Sequence, residues 1–297
     1  MRDHPVIAAL LIIGATFTLF IISVAVLVSL VGRQRPYVAG AHVGVIEVSG
    51  LIIEAKPVID QLIEFRKDRD VKAIVVRVDS PGGEVGPSQE IYEEIRKTTK
   101  TKKVVASLGG VAASGGYYIA AACDRIVSNP GTITGSIGVL VEFTNIQKLL
   151  GKIGVDADVI KAGAYKDLGS PVRPMSSEER ALIQGVLDSV HEQFIRAVAQ
   201  GRKMPAEKVR EISDGRIFSG EQARSLGLVD SLGNLEDAVE VAGRLGGIKG
   251  EVQAVYVKKK PFSLWRMLFE EDAAQGALER LRLSPLRYLM AEDYQMR

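Results

Sequence analysis

From Val6 to Val31 the chain carries no charged side chain and consists mostly of Ile, Leu, Val, Ala and Phe. A helix of that length reaches roughly 39 Å at about 1.5 Å per residue. The hydrocarbon core of a bilayer is about 30 Å thick, so this run is long enough to cross with some tilt. A cleaved signal peptide is the rival reading. It calls for an apolar region of about 7–15 residues followed by a small-x-small cleavage site. This run is longer and ends in Val31-Gly32-Arg33-Gln34-Arg35, which offers no such site. The expectation is a short tail over 1–5 and a retained transmembrane anchor over 6–32. Arg2 and the amino terminus precede the run, and Arg33 and Arg35 follow it. The positive-inside rule therefore sets no clear orientation, and slightly favours the wrong side for an extracytoplasmic body.

A polar, Pro- and Gly-bearing linker over 33–41 leads into the rest of the chain. Val43–Val48, Val71–Val78 and Lys103–Leu108 read as strands, the second rich in β-branched residues suited to a buried sheet. Pro57–Arg69 and Pro87–Lys100 carry helical spacing between them. Shorter strands are expected at Arg125–Ser128, Ser136–Leu140 and Asp158–Lys161, and a late one at Glu251–Val257. Ser176 and Glu179 have capping-box spacing at the start of a long amphipathic helix reaching about Gly201. Shorter helices follow at Pro205–Ser213, Gly220–Leu226 and Leu235–Leu245. Strands alternating with helices predict an α/β domain with a largely parallel sheet, spanning 42–258. An extension over 259–297 holds the apolar stretch Phe262–Phe269, read as an amphipathic helix packing on its own domain, a partner or a membrane surface.

Composition narrows the function. The 38 basic and 36 acidic residues nearly balance, which gives no reason to expect a nucleic-acid partner. The single cysteine, Cys123, excludes an internal disulfide and a cysteine-based metal cluster, and reads as a small buried hydrophobe. No metal or cofactor is called for.

Two segments carry chemistry. Ser114 lies in Gly109-Gly110-Val111-Ala112-Ala113-Ser114-Gly115-Gly116-Tyr117-Tyr118, small residues around one hydroxyl ahead of a helix. Serine there is a preferred N-cap, which is the structural alternative. As a nucleophile it needs a group to take its proton. The three histidines, His4, His42 and His191, are poorly placed for that task. A lysine is the other established partner, and Lys166 in Gly163-Ala164-Tyr165-Lys166-Asp167 is the candidate. To act as a base it must be neutral, a shift of about 3.4 units from about 10.4, on the scale that desolvation supplies. Asp167 opposes that shift if its carboxylate lies close. Asp79-Ser80-Pro81-Gly82-Gly83 follows the second strand. A backbone N–H from Gly83, or from Gly82, together with that of Gly115, can form a two-donor oxyanion hole; an ordinary Pro-Gly turn is the alternative. Ser136, in Thr134-Gly135-Ser136-Ile137-Gly138, is a candidate to hold the lysine amine.

Taken in order, Ser80-Pro81-Gly82-Gly83, the Ala-Ala-Ser-Gly-Gly-Tyr-Tyr segment, Asn129 to Gly138 and the Tyr-Lys-Asp segment resemble the signal peptide peptidases of the A type in their short, single-anchor bacterial form. The resemblance runs from about His42 to Val257. It implies the repeated β-β-α fold shared by the Clp protease subunit and the crotonases, preceded by one transmembrane helix. It also implies a serine endopeptidase with Ser114 as nucleophile, Lys166 as general base, Gly83 and Gly115 as the oxyanion hole and Ser136 assisting the lysine. Remnant signal peptides and other apolar peptides are the implied substrates. The implied setting is the extracytoplasmic face of a membrane, where protomers form a ring and neighbours can contribute the serine and lysine of one site. A crotonase-type acyl-CoA enzyme and a non-catalytic membrane scaffold stay open as alternatives. Lys161 is the alternative base.

Overall fold

The computed structural model describes residues 12–24, 40–257 and 287–289. The chain divides into two units, Met1–Gly40 and Ala41–Arg297. In the first, residues 12–24 form helix α1. Among the described residues no helix is long and apolar enough to cross a membrane. The rest of the expected anchor, 6–11 and 25–32, lies outside them, as does the expected helix over Phe262–Phe269.

The second unit runs β1 (His42–Ser49), α2 (Lys56–Lys67), β2 (Val71–Ser80), β3 (Gly82–Glu84), α3 (Val85–Thr98), β4 (Lys103–Ala113) and α4 (Gly115–Ala121). It continues with β5 (Arg125–Ser128), β6 (Ile133–Gly135), α5 (Gln147–Lys152), α6 (Ser177–Arg202), α7 (Ala206–Arg210), β7 (Ile217–Ser219) and α8 (Gly220–Ser225). It closes with β8 (Ser231–Leu232), α9 (Leu235–Leu245), β9 (Gln253–Tyr256) and β10 (Arg287–Leu289). An eight-stranded sheet follows the path β7-β6-β4-β2-β1-β9, with β5 between β4 and β8. Every pair in it is parallel except β6–β7. β3 stands apart and pairs with β10.

The strands read as continuous apolar runs because both faces of the sheet are covered. Period-two alternation divides β2 between them. Ile74 and Val76 face Leu62, Ile95, Ile119 and Phe194 from the helices α2, α3, α4 and α6. Ala73 and Val75 face Ala238, Val239 and Ala242 of α9. Tyr92, Tyr118 and Phe194 stack in series, with ring centroids 4.9 Å apart in each pair, and lock α3, α4 and α6 together.

Two expected strands do not form. The one over 136–140 ends before it begins. β6 stops at Gly135 (φ +79°), and Ser136 (φ 49°) continues the left-handed turn, a backbone that cannot extend a ladder. The one over 158–161 has no neighbouring strand to pair with among the described residues, and Ile160 is 97% exposed. Cys123 is buried and free, and burial pushes its thiol well above the ordinary range.

Candidate active site

β2, β4 and β6 are adjacent parallel strands, and each ends at one piece of the candidate site. β2 leads to Gly82 and Gly83, β4 to Ser114, and β6 to Ser136. The carboxyl ends of parallel strands are where such sheets place ligand sites. β4 reaches that rim because it is long. It pairs with β5 over Val105–Leu108 and then with β6 over Val111–Ala113.

Ser114 has φ 52° and ψ −117°, a backbone conformation that L-residues rarely adopt. Its N–H donates to the Gly135 carbonyl at 2.8 Å, and its carbonyl accepts from Tyr118 N–H at 2.8 Å, so both sides of the peptide are fixed. The residue is 1% exposed, yet among the described residues its Oγ has no hydrogen-bond partner. Buried hydroxyls are almost always paired, so this one calls for an explanation. A strained elbow holding an unsatisfied hydroxyl is what an attacking serine needs. The N-cap alternative fails on geometry: the Ser114 side chain accepts no hydrogen bond from the first turn of α4.

Gly115, Gly82 and Gly83 meet beside it. A Cβ on Gly115 would lie 2.6 Å from Ser88 Oγ and 3.3 Å from both Gly82 Cα and Gly83 N. Gly82 takes φ +110°, and its N–H donates to Ser80 Oγ at 3.1 Å, which fixes the turn. Ile52 N–H donates to Gly82 O at 2.9 Å, and Glu84 N–H donates to Ile52 O at 2.8 Å. Alternation along the strand therefore turns the N–H and C=O of Gly83 to the opposite edge. That edge is occupied by the chain's own extended segment: Tyr288 stands opposite Gly83, and Leu289 opposite Gly82, in an antiparallel pair.

A Cβ on Gly83 would lie 2.2 Å from the Ile52 carbonyl oxygen and 2.6 Å from its nitrogen, both backbone atoms. Gly83→Ala should therefore push β3 away from Ile52, costing about 1–3 kcal/mol of stability and lowering peptide cleavage. Gly86→Ala, three residues on and with open space around it, should be neutral or slightly stabilising. Thermal unfolding and peptide turnover of the two variants check the contrast.

Ser136 is 8% exposed and donates its N–H to the Arg216 carbonyl at 2.8 Å. It lines a cavity of about 290 Å³ with Gly138, His191, Ser213 and Asp214. Neither His42 nor His191 bonds to Ser114.

Lys166 makes no hydrogen bond to Ser114. It sits exposed on a turn over 164–169, and among the described residues its amine has no hydrogen-bond or ion-pair partner. The turn itself is tightly held. Asp167 accepts from Arg173 Nε at 2.7 Å and from Lys161 Nζ. Arg173 also donates to the Asp167 carbonyl at 3.2 Å and to both carboxylate oxygens of Glu179, one at 2.8 Å. Glu179 in turn closes the capping box of α6, accepting from Ser176 N–H at 2.9 Å. The Tyr165 hydroxyl donates to Glu178. The sequence gives no signal for Arg173 or Ser88, because each is isolated from its partners along the chain. Hydrogen bonds from Arg173 and then Lys161 hold the Asp167 carboxyl far below its ordinary range. Arg173 and the Ser176 N–H hold Glu179 at about 2.

Both carboxyl groups thus sit below their unfolded values near 4. The order they lend to the turn is complete above that value and fades as pH falls through it toward 2. Amide exchange over 163–169, corrected for intrinsic rate, should be slow at pH 6 and faster at pH 3; equal protection at both would contradict this.

The Peptidase family S49 profile matches residues 96–249, and the Clp protease profile matches residues 52–129. The Synechocystis sp. protein slr0021 is 43% identical over 229 residues, 77% of this chain and 83% of that protein. Serine protease SPPA, chloroplastic, of Arabidopsis thaliana is 37% identical over 206 residues, 69% of this chain but 30% of its own length. Protease 4 of Salmonella typhi is 36% identical over 226 residues, 73% of this chain and 36% of its own. This chain thus spans about a third of the latter two relatives. A strained, buried serine at the end of β4, two glycines beside it and a profile match over more than half the chain place it together with these proteins: the chain belongs to peptidase family S49.

Proposed function

We propose that this S49 serine peptidase cuts extended apolar peptides, remnant signal peptides among them, by a Ser114–Lys166 dyad. The observation that carries the peptide reading is β10 against β3. A backbone strand already fits antiparallel along Gly82–Glu84, with the Gly83 N–H directed at that edge. A peptide laid there would bring a carbonyl to the gap between Gly83 and Gly115.

Neutral Lys166 takes the Ser114 proton, and Oγ attacks the carbonyl carbon. The N–H groups of Gly83 and Gly115 receive the developing oxyanion. Lys166, now an ammonium, gives its proton to the leaving amine as the C–N bond breaks. Water then hydrolyses the acyl-enzyme by the same route in reverse. Ser136 holds the amine of Lys166 in line.

Ser114 Oγ makes no hydrogen bond to Lys166 of its own chain, which supports a site completed by a neighbouring copy in a homo-oligomeric ring. Exposed apolar side chains flanking the lysine turn, among them Leu149, Ile153, Ile160 and Tyr165, suit that contact. An anchor over 6–32 keeps the ring at a membrane, with the peptidase unit on the extracytoplasmic side.

Incubation of the assembled protein with a fluorophosphonate probe tests the reading. Labelling should fall on Ser114 and vanish in Ser114→Ala. Absence of labelling, with acyl-CoA turnover in its place, would show a crotonase-type enzyme. Retained function in Ser114→Ala would show a scaffold.

A further inference from the structure

Asp167, directly after the base, presents a chemical problem. A carboxylate within about 4–6 Å of an amine favours the protonated form, which is the form of Lys166 that cannot accept the serine proton. The fold answers it with a closed ion network. Lys161, Asp167, Arg173 and Glu179 carry two positive and two negative charges and sum to zero. One guanidinium spans the side chain and the carbonyl of Asp167 on one side and both oxygens of Glu179 on the other. Glu179 is fixed to the first turn of α6, and α6 is anchored in the core through Phe194 and Ile195.

We propose that Arg173 is the positioning residue for the Lys166 amine: it ties the lysine turn to α6 and keeps the Asp167 carboxylate engaged, so that Lys166 is free to be neutral. The proposal rests on Lys166 being the base. Planarity is the reason for arginine. Its fork binds two carboxylates at once in fixed directions, which a lysine ammonium at the same place does not reproduce. Two further titratable groups stand near the turn, Tyr165 and its acceptor Glu178, whose carboxylate adds one negative charge outside the network. Glu142 and Arg180 stand with Arg173 on the wall of the adjoining cavity of about 470 Å³. These two bear opposite charges, and Glu178 is the same in every variant below, so changes in the four-membered network set how the field at residue 166 differs between them.

Charge and geometry separate cleanly by substitution. Arg173→Ala removes a cation and leaves the network net negative, which raises the lysine pKa. Asp167→Asn removes an anion and leaves it net positive, which lowers it. Arg173→Lys keeps the charge and loses the fork.

Peptide turnover against pH, measured on the assembled full-length protein, reads all three. The rising limb should move about one unit to higher pH in Arg173→Ala and about one unit to lower pH in Asp167→Asn. In Arg173→Lys the limb should stay in place while kcat falls about tenfold with KM unchanged. Lower rates with the limb unmoved in both charge-changing variants would overturn the proposal, since that is what a purely structural ion pair gives. If Arg173→Ala does not assemble, Asp167→Asn and Arg173→Lys decide alone. Lys166→Ala keeps the two levels apart. Wild-type activity in that variant removes the base assignment and this proposal with it. An inactive Lys166→Ala beside unmoved limbs removes the role of Arg173 and leaves the base intact.

Discussion

Ser114→Gly should give a protein that unfolds at a higher temperature than the wild type and does not cut peptides. The stability gain follows from the backbone. At φ 52° and ψ −117° the residue sits near the mirror image of the extended region, which glycine enters freely and an L-residue enters at a cost of about 1–3 kcal/mol. Glycine loses more unfolded-state freedom on folding, which takes back about 0.5–1 kcal/mol. The hydroxyl contributes nothing in return, because its buried oxygen has no partner among the described residues, and removing an unsatisfied polar atom is favourable. A net gain of about 1 kcal/mol corresponds to about 2–4 °C for a unit of this size. Ser114→Ala removes the hydroxyl but keeps the strain, so it should fall between the two. Peptide turnover should drop about ten-thousand-fold or more in both variants. Calorimetry and a peptide assay on the three proteins check the ordering Gly above Ala above Ser. A glycine variant less stable than the wild type would mean that Ser114 is structural and that its strain is offset by contacts of its side chain.

This coupling of strain to chemistry also marks where the sequence stops being legible. The strands and helices around the site follow from local pattern. β5 lies at Arg125–Ser128 and α9 at Leu235–Leu245, as expected, and Ser176 and Glu179 form the capping box their spacing predicts. Those features depend on residues a few positions apart. Gly83 beside Gly115 was open to inference because each glycine follows a strand end, and parallel strands deliver their ends to one rim. The contact of Ser88 with Gly115 was not, since nothing near Ser88 sets it apart. Arg173 was hidden for a different reason. Its partners, Asp167 and Glu179, lie six residues away on either side across a turn that no periodicity describes. The strand expected over 158–161 fails for want of a neighbour among the described residues. The apolar side chains that suggested it, Val159 and Ile160, are exposed instead.

Two inactive variants, mixed, should recover activity that neither has alone. Ser114→Ala lacks the proposed nucleophile and Lys166→Ala lacks the proposed base. In this chain Ser114 is buried at the sheet rim, while Lys166 is exposed on a turn and has no partner among the described residues. If a site takes its serine from one copy and its lysine from the next, an equal mixture assembled at random contains intact sites at a chance of one half for each residue. About a quarter of wild-type turnover should therefore return. A dyad formed within one chain returns none, because every chain in the mixture lacks one member. The two arrangements also differ on dilution. A shared site loses turnover per chain once the protein falls below its assembly concentration, whereas a site within one chain does not. The ion network around Arg173 gives the first arrangement its physical sense. A base presented to another molecule is not buried in its own chain's core, and is tied to it only through Arg173, Glu179 and α6. The turn must arrive already ordered, with its neighbouring carboxylate already satisfied, and the amine must be desolvated only when the partner's surface closes over it. Under the proposed dyad, assembly then supplies both the proximity and the burial that Lys166 needs to act as a base.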